Sequence, residues 1–226
     1  MNGKKLNIDI FKIENKNSSG STADVYKYNN FALKLYDDPI NYSIKQDLFN
    51  ELSSIKNKNF IELYETFKTD IDGSLVEGYI SKYYIDEKIN PLKLESSYML
   101  KNIEYLKELR DIFTNKKIVM RDLHPWNSIY TKDGIVLIDP DDYRVVNLDI
   151  DVINMENKNI LVDFTINTLK RYSDDKLCNI DYLEEYGTIK YLDDLKKEKN
   201  PDNALEVIEE NLKKAKRPID FIRKLK

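Results

Sequence analysis

Two short runs, Lys117–Met120 and Ile135–Ile138, each lead abruptly into an aspartate, Asp122 and Asp139. Between the aspartates lie Pro125, Asn127 and a tight-turn dipeptide, Asp133-Gly134, in the stretch VMRDLHPWNSIYTKDGIVLIDPDDYR. Apolar runs of about four residues bounded by turn formers predict short buried strands. Two carboxylates and a carboxamide would then sit at strand ends and in loops, where a rigid scaffold can aim them at a ligand. One aspartate after a strand is read as a turn cap. RDLHPWN followed by LIDPD is too specific for that reading.

The rest of the chain supplies the scaffold. Residues 8–36 read as strands and turns, with Ile8, Ile10 and Ile13 in the first and the Ser/Gly-rich stretch NSSGSTADVYKY after it. In FALKLY, period-two alternation sets Phe31, Leu33 and Leu35 on one face and Ala32 and Lys34 on the other. From Pro39 to Lys58, Ile44, Leu48, Leu52 and Ile55 recur at helical spacing, with Glu51 at the edge of that stripe. A glutamate there needs a cation, and Lys34 on the neighbouring strand is the obvious one. Phe60–Phe67 and Leu75–Ile85 predict two more strands joined by a turn at Asp70–Ser74. A helix carrying Met99, Ile103, Leu106, Leu109 and Phe113 follows the Ser96-Ser97 pair. Beyond residue 145 the pattern is helical: Asn157–Ser173, then Asp181–Lys199 broken near Gly187, then Asn203–Lys216, opened by Pro201-Asp202 and stopped by Pro218.

At 226 residues the chain suits one large domain or two small lobes. No run approaches the roughly 18 apolar residues of a membrane helix, and the N-terminus lacks the apolar core of a secretory signal. The lone cysteine, Cys178, excludes an internal disulfide framework and fits a reducing cytoplasm. A net charge of −4 argues against a general nucleic-acid binder, and the basic end KKAKRPIDFIRKLK reads as a solvated helix face.

The stretch Met120-Arg121-Asp122-Leu123-His124-Pro125-Trp126-Asn127 resembles the kinase catalytic loop H-R-D-L-x-x-x-N, and the chain resembles the protein-kinase-like superfamily. Its D-L-H-P-x-N string is closest to aminoglycoside-phosphotransferase-like proteins and atypical small kinases. The resemblance implies an α+β, bilobal fold: an antiparallel-sheet N-lobe over residues 1–84 with one αC-type helix, and a short, mainly helical C-lobe over 85–226. It implies Asp122 as the base, Asn127 and Asp139 as magnesium ligands, and Asp141 as an assisting ligand. Ala32 would pack on adenine, and Lys34, paired with Glu51, would reach the phosphates of ATP. Ser18, Gly20, Ala23 and Val25 align with the glycine-rich loop, of which only the middle glycine is kept. The hinge would fall near Tyr83–Asp86, with Tyr84 beside the base.

Three departures separate the chain from conventional protein kinases. His124, the only histidine, replaces the catalytic-loop lysine and would lie near the transferred phosphoryl or brace the loop. Asp139-Pro140-Asp141 replaces D-F-G, and nothing matches the end of an activation segment. The expected activity is therefore phosphotransfer from ATP to a hydroxyl acceptor, a small molecule more than a protein. An atypical Ser/Thr protein kinase and a nucleotide-binding pseudokinase are the alternatives. Trp126, Asp141–Tyr143 and the cluster Asp181–Tyr186 would wall a closed acceptor pocket; alternatively Trp126 packs under the loop and the cluster is an exposed helix face.

Overall fold

The alternating run Phe31–Tyr36 becomes the middle strand of a five-stranded antiparallel sheet. The computed structural model describes residues 16–19, 22–38, 44–71, 74–87, 94–173, 188–218, 220 and 221. The chain divides into two compact units, Met1–Ser54 with Glu62–Tyr84, and Ile55–Ile61 with Ile85–Lys226. The fold is α+β, with antiparallel strand ladders and several helices. Among the described residues, no helix is long and apolar enough to cross a membrane.

In the first unit, β1 (Lys16–Ser19), β2 (Ala23–Tyr28), β3 (Phe31–Tyr36), β4 (Leu63–Ile71) and β5 (Ser74–Lys82) run in the order β1-β2-β3-β5-β4. The β2–β3 hairpin closes through Asn29, whose φ of 53° suits the left-handed turn that asparagine tolerates. Helix α1 (Gln46–Ser53) buries Leu48, Phe49 and Leu52. It is shorter than the expected Pro39–Lys58, of which residues 39–43 lie outside the described residues. At its end the hydroxyls of Ser53 and Ser54 bond the carbonyls of Asn50 and Glu51, competing with continuation of the helix. Ile55, expected on the helix stripe, belongs instead to the second unit. The predicted strand at Ile8–Ile13 lies outside the described residues.

The second unit holds α2 (Ser96–Asn115), β6 (Ile118–Val119), β7 (Ser128–Thr131), β8 (Gly134–Leu137), β9 (Arg144–Val145), α3 (Ile150–Ser173), α4 (Thr188–Lys196) and α5 (Pro201–Lys214). Phe60, expected in a strand with Phe67, joins this unit and bridges to Leu137. Helix α2 packs on α3 and α5, and its Met99, Ile103, Leu106, Leu109 and Phe113 are buried as the spacing predicts. Helix α3 begins seven residues ahead of the expected Asn157. α5 starts at Pro201, with the Asn200 side chain accepting from the Asp202 N–H. Residues 181–187 of the expected Asp181–Lys199 helix lie outside the described residues.

Gly78, between β3 and β4, has no space for a side chain. A Cβ there would stand 1.9 Å from the Lys34 carbonyl oxygen and 3.0 Å from Phe67 Cζ. Gly78→Ala must therefore push β3 away at the peptide of Lys34. The expected cost is about 1–3 kcal/mol, read as a lower thermal midpoint; an unchanged midpoint would show that the strands part freely.

Candidate functional site

The site is assembled in the second unit from the end of α2 onward. Lys117, at φ 56°, turns the chain out of the helix into β6. β6 is two residues long and pairs only with β9, Ile118 opposite Val145 and Val119 opposite Arg144. So short a ladder leaves backbone groups to be satisfied by other means. Asn157, fully buried on α3, does this. Its Oδ1 accepts the Met120 N–H at 3.0 Å, while its Nδ2 donates to the Ile118 carbonyl at 2.9 Å and to Thr114 Oγ1 at 3.1 Å. The strand that delivers Asp122 is thereby tied to α2 and α3 together.

Two residues later Asp122 adopts φ 55°, and Asp139 adopts φ 58°. Left-handed backbone costs an L-residue about 1–2 kcal/mol, and aspartate is among the few types that tolerate it. Asn127 ends a 3₁₀ turn, Pro125–Asn127, whose last N–H donates to the His124 carbonyl at 2.9 Å. Its Nδ2 donates to the Asp122 carbonyl oxygen and to Asp122 Oδ2, each at 3.0 Å. Its own carbonyl accepts the Ile138 N–H at 2.9 Å. Asp122, Asn127 and the residue before Asp139 are thus linked hand to hand. With Nδ2 turned to Asp122, the amide keeps Oδ1 as its remaining hard donor.

The β7–β8 hairpin pairs Ser128 with Leu137 and Thr131 with Gly134, so its two loop residues are Lys132-Asp133, one position ahead of the expected Asp133-Gly134, and Gly134 opens β8. Gly134 has φ 139°, and a Cβ there would meet Asn102 Oδ1 at 2.8 Å and Asn59 Nδ2 at 3.0 Å. These two buried asparagines hold the outer edge of β8. Asn102 accepts the Ile135 N–H at 2.8 Å, and Asn59 donates to the Ile135 carbonyl at 2.7 Å. The strand leading into Asp139 is therefore fixed on both sides.

The other expected residues fall as follows. His124 is exposed, and Asp141 is half-buried. Trp126 is 71% exposed, so it does not pack under the loop. Tyr143, expected beside the acceptor, is instead core: 1% exposed, 5.5 Å from the ring of Phe113 and 6.4 Å from that of Phe60. Its hydroxyl is buried and has no hydrogen-bond partner among the described residues. Burial, then the charges of Asp139 and Asp122, push the phenol's pKa up, so it stays protonated. Asp181–Tyr186 lies outside the described residues.

In the first unit, Lys34 is buried at 7% exposure, its Nζ 5.7 Å and 5.9 Å from the ring centres of Tyr36 and Tyr79. Ala32 and Val25 are half-buried on β3 and β2, and Glu51 is exposed on α1. Tyr84 closes the unit, with desolvation raising its phenol to about 12. Gly20 lies outside the described residues.

Among the described residues no group of three or more His, Cys, Asp or Glu side chains could by itself hold a metal ion. Asp139 and Asn127 Oδ1 are hard-oxygen donors of the kind magnesium takes when most of its remaining ligands are water and phosphate. These donors do not form an all-protein cage, and a cation held by them would draw its remaining ligands from water or another bound group. Neither a comparison with models of protein families nor one with curated proteins finds a match for the chain.

Asn157, Asn59 and Asn102 were not among the expected site residues; for Asn157 and Asn102 the available signal is a polar residue at a core position of a helical apolar stripe. Asn157→Leu should leave the Met120 N–H and Ile118 carbonyl unpaired, at about 1–3 kcal/mol each. Tyr143→Phe should keep the ring contacts, remove an orphaned hydroxyl and hold or raise the thermal midpoint. A fall with Tyr143→Phe comparable to that with Asn157→Leu would mean the hydroxyl has a partner in solution.

Proposed function

We propose that the chain is an ATP- and magnesium-dependent phosphotransferase of the protein-kinase-like superfamily, acting on a hydroxyl acceptor. The observation that carries the reading is the linkage of Asp122, Asn127 and the backbone beside Asp139, with both aspartates in left-handed conformations. Strained residues of this kind gather at functional sites, and these are the positions that the catalytic-loop resemblance singles out. The five-stranded sheet with one helix, and the mainly helical second unit, are compatible with a bilobal kinase-like fold.

In this reading Asp122 orients the acceptor hydroxyl and takes its proton as the oxygen bonds to phosphorus and ADP departs. The Asn127 amide fixes the Asp122 carboxylate by donating to Oδ2 and offers Oδ1 to the cation. Asp139, assisted by Asp141, is the main metal ligand, and Lys34 balances phosphate charge. Magnesium, when bound, supplies neutralisation of the phosphate oxygens. His124, which is exposed, would lie near the transferred phosphoryl or brace the loop.

The sequence favours a small hydroxyl compound as acceptor. A second reading, an atypical Ser/Thr protein kinase, draws on one observation: Arg121, Asp122, His124 and Trp126 all face solvent. A surface of that kind admits a polypeptide. A pseudokinase would keep the nucleotide site without turnover.

Mg-ATP at a hundredfold excess over Kd should stabilise the fold by about 2.7 kcal/mol, or several degrees at roughly 2–4 °C per kcal/mol. Asp139→Ala should remove the magnesium-dependent part. No shift with millimolar Mg-ATP or Mg-GTP would sink the nucleotide site.

Asp122→Asn preserves the shape and an acceptor for Asn127 Nδ2. It should leave the Mg-ATP shift intact while turnover falls by about 10²–10⁴. Equal ADP release by the two proteins would leave the pseudokinase, or another base.

A further inference from the structure

On α2, away from the linked acids, the phenol of Tyr105 is the meeting point of two lysines. Lys58 Nζ donates to Tyr105 Oη at 2.9 Å and lies 4.0 Å from the ring centre. Lys101 stands one helical turn before Tyr105, with its Nζ 5.5 Å from the same centre. All three residues belong to the second unit. The tyrosine is half-buried, its Cδ2 3.6 Å from where a Cβ on Gly134 would stand, so one ring edge sits against the start of β8.

The backbone that carries Lys58 is held on the same side. The next residue, Asn59, donates its amide to the Ile135 carbonyl and takes Asn57 Oδ1 on its own N–H. The ammonium thus reaches the phenol from an anchored segment. Among the described residues neither Lys58 nor Lys101 is in an ion pair, and Glu104 and Glu108, their acidic neighbours on α2, are exposed.

A cation that donates to a phenol oxygen favours the phenolate. The Lys58 hydrogen bond, opposed by burial and joined by Lys101, lowers the Tyr105 pKa from its ordinary value. Tyr64, Tyr84, Tyr98 and Tyr143 are shifted the other way, with burial the first cause in each. A tyrosine acts as a nucleophile through its phenolate, and an adjacent cation is one of the ways a weak nucleophile is activated.

We propose that Tyr105 is a nucleophilic tyrosine, a covalent modification site for electrophiles that transfer a sulfonyl or phosphoryl group and expel an anion. The Tyr105 oxygen bonds to sulfur or phosphorus as the bond to the leaving group breaks. The phenol proton passes to solvent, because the Lys58 ammonium already carries its full set. Lys58 balances the charge gathering on the attacking oxygen, and Lys101 supplies a second positive charge for the departing anion. The site uses none of the residues assigned to phosphotransfer and does not depend on that reading.

The test is timed labelling of the full chain with benzenesulfonyl fluoride, mapped residue by residue by mass spectrometry. The Tyr105 oxygen takes the sulfonyl group and fluoride leaves. Tyr64 is the internal reference: at 38% exposure it is the more accessible phenol, so accessibility alone would label it first. Tyr105 should instead be labelled faster than Tyr64. Lys58→Met should slow Tyr105 by about two- to fivefold, the scale of an exposed, solvent-screened charge pair, at a thermal midpoint matching wild type. In wild type, raising the salt concentration should lower the ratio of Tyr105 to Tyr64 labelling as the lysine charges are screened. This second arm needs no substituted protein. Labelling of Tyr64 ahead of Tyr105 would overturn the proposal. So would a ratio indifferent to salt, a folded Lys58→Met protein labelled at the wild-type rate, or sulfonyl found on Lys58 in place of Tyr105.

Discussion

Very short strands cannot satisfy their own backbones, and the second unit depends on how that deficit is met. β6 and β9 are two residues each, and β8 is four. Three buried asparagines complete them. Asn157 serves Met120 and Ile118, while Asn102 and Asn59 serve the N–H and the carbonyl of Ile135 on one edge of β8. An amide can donate and accept at once, so one side chain stands in for a missing neighbouring strand. A carboxylate could only accept, and a hydroxyl has one proton where Asn157 donates twice. In the first unit β3 has a full partner on either side, and no such device is needed there.

That bracing is what permits the strain beyond it. A left-handed aspartate persists only where the surroundings over-determine it. Asp122 follows a strand held by Asn157, and Asp139 follows one held by Asn102, Asn59 and the Phe60–Leu137 bridge. Asn127 then closes the gap, taking the Ile138 N–H on its carbonyl and giving its Nδ2 to Asp122. The two acids are positioned by separate elements that converge on one carboxamide.

Much of this was legible in the sequence, for identifiable reasons. The alternation in FALKLY and the helical stripe from Met99 to Phe113 are period signals, and both elements form where they predict. The turn read at Asp133-Gly134 forms one residue earlier, at Lys132-Asp133, with the glycine's positive φ opening β8. Other features depend on partners remote in sequence. Phe60 looked like strand because apolar residues follow it, yet its ring meets Phe113 and Tyr143 and its backbone meets Leu137. Serine hydroxyls shortened α1 where the apolar stripe alone would have carried it through Ile55. Asn102 and Asn157 stand at core positions of helical stripes, a signal blurred by the frequency of asparagine throughout the chain, and Asn59, in a turn, carries no such mark. The left-handed backbones of Asp122 and Asp139 follow from the paths of neighbouring elements, which composition does not encode.

The segment after Asp139 shows how the acidic turn resists rearrangement. Pro140 fixes φ, and its carbonyl accepts the Tyr143 N–H at 3.1 Å, so the turn closes on itself. Tyr143 then plugs into the rings of Phe60 and Phe113, which lie on elements of the same unit. Swinging Asp139 out through this segment would draw a buried aromatic ring into water, at about 1.5–3 kcal/mol for a large apolar side chain. It would also break the Asn127–Ile138 bond. At the position that the resemblance aligns with the D-F-G phenylalanine, the chain thus has a proline, with an anchored tyrosine three residues on. The two acids therefore sit on the rigid part of the unit, held by Asn127, Pro140 and the Tyr143 ring, while Arg121, His124 and Trp126 in the same loop face solvent.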